Sequence, residues 1–267
     1  MEKIQNIISL FEPITLDEMD SVKLLERSDT KFTFHSHQLP LILEQAKPYY
    51  RLLDIDGKRT SRYETLYFDS DDFMMYLKHQ NGKLNRHKVR FRKYMETGKC
   101  YFEIKFKSNK EKTNKQRIQQ KNIESTISGP AAEFLQDFDN MDAGILFPNV
   151  KINYSRMTLI SKRRRERLTI DMGLSFHYPD SYSAAGANDK HITYNNFVIA
   201  EIKQDKFSYT ADFFSVMKQN HIRPVRFSKY CAGVNSLFPK VKYNRFKERS
   251  LNVRKIQNLL LFNNSIT

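Results

Sequence analysis

Along much of the chain apolar and polar residues alternate one by one, the period of a strand whose two faces differ. In His87–Tyr94 (HKVRFRKY) this sets Lys88, Arg90 and Arg92 on one face and Val89 and Phe91 on the other. Tyr101–Lys107 repeats the arrangement, with Glu103, Lys105 and Lys107 against Phe102, Ile104 and Phe106. Arg27, Asp29 and Lys31 stand against Phe32 and Phe34, and Arg163, Arg165 and Arg167 against Leu168 and Ile170. Glu201 and Lys203 stand against Val198, Ala200 and Ile202. The pattern predicts strands over 24–34, 49–55, 62–68, 86–95, 99–107, 116–124, 150–160, 164–171 and 197–204. Glu96-Thr97-Gly98-Lys99 predicts a hairpin turn, and Asp171-Met172-Gly173 another. Helical spacing fits 36–47, 71–78, 130–138, 210–220 and 229–237. An amphipathic lead-in carries Ile4, Ile7, Ile8 and Phe11, is broken by Pro13, and continues as a short helix from Thr15 to Val22. Asp180–Lys190 reads as a loop, and no linker or repeat divides the chain. The expected fold is mainly β (α+β), one antiparallel domain over residues 1–267 with helices packed outside.

Composition changes this picture through charge. The 267 residues hold 45 Lys+Arg against 30 Asp+Glu, a net charge of +15, so a polyanion is expected as partner: nucleic acid, an anionic membrane or a phosphate chain. At 40% hydrophobic residues the chain is not a disordered polycation. Placement of the charges narrows the choice. Like charges directly across strands are destabilising, so a basic face this dense calls for an anion. The opposite faces are wholly apolar and need cover. A barrel with a charged lumen, an apolar exterior and helices outside meets both conditions.

The few acids on the basic faces have two readings. Glu103 and Lys105 point one way, as do Glu201 and Lys203, so each Glu is either a salt-bridge partner or a ligand for a hard cation. Mg²⁺ commonly binds through one or two carboxylates plus phosphate oxygens. Cys100 and Cys231 are far apart and have no metal-like spacing. His35 and His37 form an HxH pair without an evident third ligand. Neither a signal-peptide core nor an apolar run of about 18–20 residues is present, so a soluble cytoplasmic protein is expected. Lys162-Arg163-Arg164-Arg165 alone would suit nucleic acid, but no recognition helix or RRM or KH signature accompanies it, which makes nucleic acid the weaker partner.

Several stretches together resemble a known family. FEPITLDEMDSVKLLERSDTKF, YETLYFDSDDFMMYLKHQNGKLNRHKVRFRKY and CYFEIKFKSNKEKTNKQR, followed by RERLTID, VIAEIKQDK and RFSKY, resemble the VTC domain over roughly residues 11–240. That domain belongs to the triphosphate tunnel metalloenzymes, with the CYTH proteins. The resemblance implies an eight-stranded antiparallel tunnel barrel and an ATP-dependent polyphosphate polymerase, which moves the terminal phosphate of ATP onto a polyphosphate chain. It implies phosphate-binding roles for Lys31, Arg90, Arg92, Lys105, Arg156, Arg167, Lys203 and Lys229. Lys88 and Arg165 lie on the same predicted faces and extend the nucleotide-phosphate surface. Glu201 resembles the glutamate that holds Mn²⁺ or Mg²⁺, with Glu103 as a second carboxylate, and Tyr154 resembles the aromatic that stacks on adenine. One departure stands out. CYTH hydrolases open with ExExK, whereas this chain has Arg27-Ser28-Asp29-Thr30-Lys31, with arginine in place of the first acid. That favours holding a long polyanion over hydrolysing a short one. A metal-dependent triphosphatase and a non-catalytic polyphosphate- or nucleic-acid-binding module are the alternatives. A membrane partner that receives the product is compatible with either enzyme.

Overall fold

The computed structural model describes residues 2–21, 28–110, 113–180, 191–205 and 208–259. Residues 181–190 of the loop expected over Asp180–Lys190, and Arg27, lie outside them. Strands run over Pro13–Ile14 (β1), Ser28–His35 (β2), Tyr50–Leu53 (β3), Ser61–Asp69 (β4), Arg86–Tyr94 (β5) and Cys100–Lys107 (β6). They continue over Thr113–Gln120 (β7), Phe147–Ser161 (β8), Glu166–His177 (β9), His191–Thr193 (β10), Phe197–Gln204 (β11) and Pro224–Val225 (β12). Helices cover Glu2–Ser9 (α1), Leu16–Ser21 (α2), Leu39–Ala46 (α3), Met74–Gln80 (α4) and Pro130–Asp139 (α5). Asp212–Gln219 (α6), Lys229–Leu237 (α7) and Lys247–Gln257 (α8) complete the set. Among the described residues no helix is long and apolar enough to cross a membrane.

The hydrogen-bonded order is β12-β2-β11-β9-β8-β4-β5-β6-β7, antiparallel along that path. Eight substantial strands therefore form one curled wall. The short β12 occupies the free edge of β2, with Pro224 opposite Phe32 and Val225 opposite Lys31, and among the described residues no ladder joins β7 to β2. Along the described ladders the wall therefore ends at β7 on one side and at β12 beside β2 on the other.

The alternation that defines the strands also assembles the core. Val89 pairs with Ile104 and Phe91 with Phe102, all four fully buried, and α5 covers them with Ala131 and Leu135. On the other half Phe32, Phe34, Leu168, Ile170, Val198 and Ile202 form an outer apolar face. It is covered by Ile7 and Ile8 of α1, Ile42 and Leu43 of α3, and Phe213 and Met217 of α6. Each such side chain contributes roughly 1.5–3 kcal/mol by leaving water.

The inner face is charged along only part of its length. Toward one end it turns apolar, with Val150, Ile152, Leu174, Phe176, Phe197 and Ile199, and α7 plugs this end with Tyr230, Cys231, Val234 and Leu237. Gly233 permits the close approach, since a Cβ there would lie 2.7 Å from Val150 and 2.8 Å from Phe176. Ser228 caps α7 by accepting from the Cys231 N–H at 3.3 Å.

Four features depart from the sequence expectations. β9 starts at Glu166, so Arg163 and Arg165 lie in the connection before it rather than on its inner face. Asp171-Met172-Gly173 is not a turn, because β9 continues through it as a bulge, with the register shifting opposite Asn153 and Ser155 and Gly173 at φ +62°. A glycine in a strand can mark a bulge as readily as a turn. β7 begins at Thr113 rather than 116, which brings Lys115 into the ladder. α8 was not expected, since its only buried residue is Val253 and it lacks a strong apolar stripe.

Candidate functional site

Charged rows cross the inner wall in register. Lys88 on β5 lies beside Lys105 on β6, which lies beside Lys115 on β7. The next row is Arg90, Glu103 and Arg117. Arg90 donates to Glu103 Oε2 through Nε at 2.7 Å and Nη2 at 2.5 Å, and Lys115 donates to Oε1 at 2.7 Å. Burial acts to raise the Glu103 pKa, yet Arg90, Arg92 and Lys115 hold it far below the usual carboxylate range.

Among the described residues Lys88 and Lys105 have no carboxylate within ion-pair distance. Lys88 donates to Ser228 Oγ at 3.0 Å. Burial, then the neighbouring Lys88, pulls the Lys105 ammonium down to about 7. Burial, then Arg90, pulls Lys115 down to about 8. Lys115 keeps Glu103 as its counter-charge, whereas Lys88 and Lys105 have none among the described residues, and an anion in the lumen would supply it.

The facing wall is built differently. Lys31 on β2 donates to Glu201 Oε1 on β11 at 2.5 Å, and Lys203 lies 3.2 Å from the same oxygen and 3.5 Å from Asp29 Oδ2. Burial would raise the Glu201 pKa, but Lys203 and Lys31 hold it well below the usual range. The two walls sense each other: Lys105 feels Asp29 and Glu201, and Lys88 feels Lys31. Between them Arg156 on β8 grips Asp171 on β9 with both arms, at 2.6 and 2.8 Å, and Lys229 at the start of α7 donates to the same carboxylate.

Away from the α7 plug the lumen widens into a cavity of about 260 Å³. Tyr63, Tyr94 and Tyr101 line one side and Leu16, Met19, Leu53 and Ile55 another, with Arg156, Arg167 and Lys203 among the remaining lining residues. Thr15 and Glu18 form a capping box that fixes α2 and its Leu16 and Met19 at this mouth: Thr15 N–H donates to Glu18 at 2.9 Å, and Glu18 N–H to Thr15 Oγ1 at 3.3 Å.

Against this geometry, the family model of the VTC domain matches residues 26–238. The chain belongs to the VTC domain family. No curated protein matches it. Among solved structures it is similar to a candidate adenylate cyclase from Bacillus halodurans, at 15% identity and TM-score 0.48, covering 80% of this chain and 97% of that one. It is also similar to HpAC1 from Hippeastrum, a candidate adenylyl cyclase described with a dominant triphosphatase activity, at 14% identity and TM-score 0.47, covering 79% and 96%. The RNA triphosphatase Pct1 of S. pombe is similar at 10% identity and TM-score 0.27, covering 89% and 86%.

In this VTC domain the structure gathers Lys31, Lys88, Arg90, Arg92, Lys105, Arg156, Arg167, Lys203, Lys229, Glu103 and Glu201 around one lumen. Three expected roles do not fit. Arg165 is 72% exposed, in the β8–β9 connection, 3.7 Å from Asp205. Tyr154 is 3% exposed, stacked on Tyr63 at 5.0 Å and 7°, with the Lys229 ammonium 4.6 Å from its ring centre. It therefore has no open face for a base, whereas Tyr63 lines the mouth cavity. Glu103 is 1% exposed and its two oxygens are held by Arg90 and Lys115, which leaves none for a metal. Among the described residues no group of three or more His, Cys, Asp or Glu could hold an ion, and His35 and His37 hydrogen-bond to each other at 2.7 Å. Glu201 and Asp29, both beside Lys203, are the carboxylates that could hold a divalent ion.

Sequence reasoning missed Asp171, Lys115, Arg117 and Tyr67. Asp171 was hidden by the turn assignment, and Lys115 fell one residue outside the predicted strand. Asp171 is 2% exposed; burial would raise its pKa, but Arg156 and Lys229 lower it to about 2. Replacing it by asparagine strands two buried cations, and Asp171→Asn is expected to cost about 3–5 kcal/mol at neutral pH. Its folded pKa lies below the unfolded value of about 3.9, so this stabilisation is complete above the unfolded pKa and disappears as pH falls through about 2. Denaturant titrations should show the gap between wild type and variant narrowing from about pH 5 to about pH 3. A gap that stays constant with pH would show that the carboxylate is not held by these charges.

Proposed function

We propose that this VTC domain is an ATP-dependent polyphosphate polymerase that transfers the terminal phosphate of ATP onto a polyphosphate chain in its lumen. The observation that carries this reading is the surplus of inward cations, above all the row Lys88, Lys105 and Lys115, whose first two members have no carboxylate partner among the described residues. Phosphoryl transfer asks the protein mainly for positioning and for charge stabilisation on the transferring group. Arg92 brings a planar fork to phosphate oxygens, and the lysines add compact charge. The nucleophile is the terminal phosphate of the polymer, so no Ser, Cys or His nucleophile is needed. Glu201 would hold a divalent ion, which would supply charge stabilisation to the transferring group. The apolar plug at α7 and the covered walls limit bulk water at the reacting centre, which favours transfer over hydrolysis.

The mouth suits the nucleoside end of the donor, with tyrosines and aliphatic side chains for a base beside Arg156, Arg167 and Lys203 for the phosphates. Arg117 already stacks 4.3 Å from the ring centre of Tyr101. Tyr101→Ala is expected to weaken ATP binding about 5- to 150-fold, the range of one base–aromatic stack, and to leave tripolyphosphate affinity nearly unchanged. Equal losses for both ligands would remove the base from this mouth. The function itself is tested by incubating the protein with ATP and Mn²⁺ or Mg²⁺ and separating the products. Polymer plus ADP is the expected result, and orthophosphate or pyrophosphate alone would make the protein a hydrolase.

A further inference from the structure

Tyr67 on β4 faces the lumen between Arg90 and the α7 plug, and no role in phosphate chemistry has so far been given to it. Its hydroxyl accepts a hydrogen bond from Arg90 Nη1 at 2.6 Å, and the Arg90 guanidinium carbon lies 5.5 Å from its ring centre. The ring is 5% exposed and stacks on Tyr230 at 5.0 Å and 24°. Tyr230 is anchored in turn, donating to Asp69 at 2.5 Å, and Asp69 accepts the N–H groups of Met75 and Tyr76 at the start of α4 at 2.7 and 2.8 Å. Tyr67 is thus clamped in place by packing that continues into two helices.

A phenol that accepts from arginine still has its own proton to donate. Among the described residues that proton has no acceptor. The charged groups felt by Tyr67 are Arg90, Arg92 and Lys88, none of which can accept. Burial alone would raise the phenol pKa, but these three cations bring it below the ordinary value, so the hydroxyl is a stronger donor than a free tyrosine. We propose that Tyr67 is a phosphate-binding hydroxyl, donating to a lumenal phosphate oxygen while its oxygen holds Arg90 Nη1 beside it. This rests on the lumen binding a phosphate chain.

The test uses the whole chain, tripolyphosphate as probe, and calorimetry without metal. Tyr67→Phe keeps the ring on Tyr230 and removes only the hydroxyl. A donor lost from a charged acceptor should weaken tripolyphosphate binding at least about tenfold, with the unliganded melting temperature within about 3 °C of wild type. Tyr230→Phe keeps the ring beneath Tyr67 and cuts the bond to Asp69. It should lower the melting temperature and keep tripolyphosphate affinity within about threefold, because the donating hydroxyl remains. In wild type labelled at tyrosine Cζ, the resonance of the tyrosine with the lowest pKa should shift on adding tripolyphosphate, a readout that survives if Tyr67→Phe does not fold. Unchanged affinity in Tyr67→Phe, or a Cζ spectrum indifferent to tripolyphosphate, overturns the inference and leaves the lumen reading intact. Failure of the wild type to bind tripolyphosphate overturns both.

Discussion

Replacing Arg92 with alanine is expected to lower polyphosphate synthesis by about 10²–10³-fold, the usual loss when one preorganised donor to a developing charge is removed. The unliganded melting temperature should stay within about 3 °C of wild type. Arg92 is 8% exposed but tightly committed to little: it donates to Thr65 at 3.3 Å and lies 4.0 Å from Glu103. Its removal leaves Glu103 with Arg90 and Lys115, and it thins a cluster of like charges. Arg90 is the less clean probe. Arg90→Ala strips the buried Glu103 of its two shortest arginine contacts and should cost stability as well as activity. Synthesis rate and thermal melts on both variants decide the matter. Retention of more than about a tenth of the activity in Arg92→Ala, or a collapse of its melting temperature, would show that the residue braces the wall rather than serving phosphate.

Glu201→Gln is expected to abolish metal-dependent turnover, by at least about a hundredfold, and to tighten metal-free tripolyphosphate binding. The variant keeps the size of the side chain and an oxygen for Lys31, but loses the charge that draws a divalent ion. It also releases the Lys31 and Lys203 ammoniums, now held at 2.5 and 3.2 Å, to an incoming anion. Burial opposes ionisation, yet Lys203 and Lys31 keep the Glu201 pKa well below the ordinary carboxylate value. The carboxylate is therefore ionised throughout the neutral range, and Mn²⁺ activation should show no step from this group between about pH 5 and about pH 8. Activity titrated with Mn²⁺ and calorimetry without it provide the two measurements. Mn²⁺ activation that survives in Glu201→Gln would place the ion on Asp29.

Much of this architecture was legible from alternation. Which side of β5, β6 and β11 faces inward follows from spacing two, and Lys88, Arg90, Lys105, Glu201 and Lys203 all turned inward as their apolar neighbours required. The α7 helix was predicted over 229–237 and spans those residues, because Ser228 supplies the cap just before the apolar spacing begins. Legibility stopped where the local pattern was ambiguous. Gly173 read as a turn because a positive-φ glycine serves a bulge and a turn alike, and this cost Asp171, the hub of Arg156 and Lys229.

By itself the sequence determined the strand faces, the cationic surplus and the helical cover, since a strand's two-residue period and an apolar stripe are local properties. Only the tertiary structure decided who meets whom. Glu103 is a structural anion because register places it between Arg90 and Lys115, while Glu201 across the lumen stays beside Asp29. Tyr154 and Tyr63 share an inner face and a register position, yet one is buried beneath the other and only Tyr63 reaches the mouth. The curl of the wall, the unladdered β7–β2 seam and the α7 plug arise from contacts between residues far apart in sequence, which no local period encodes.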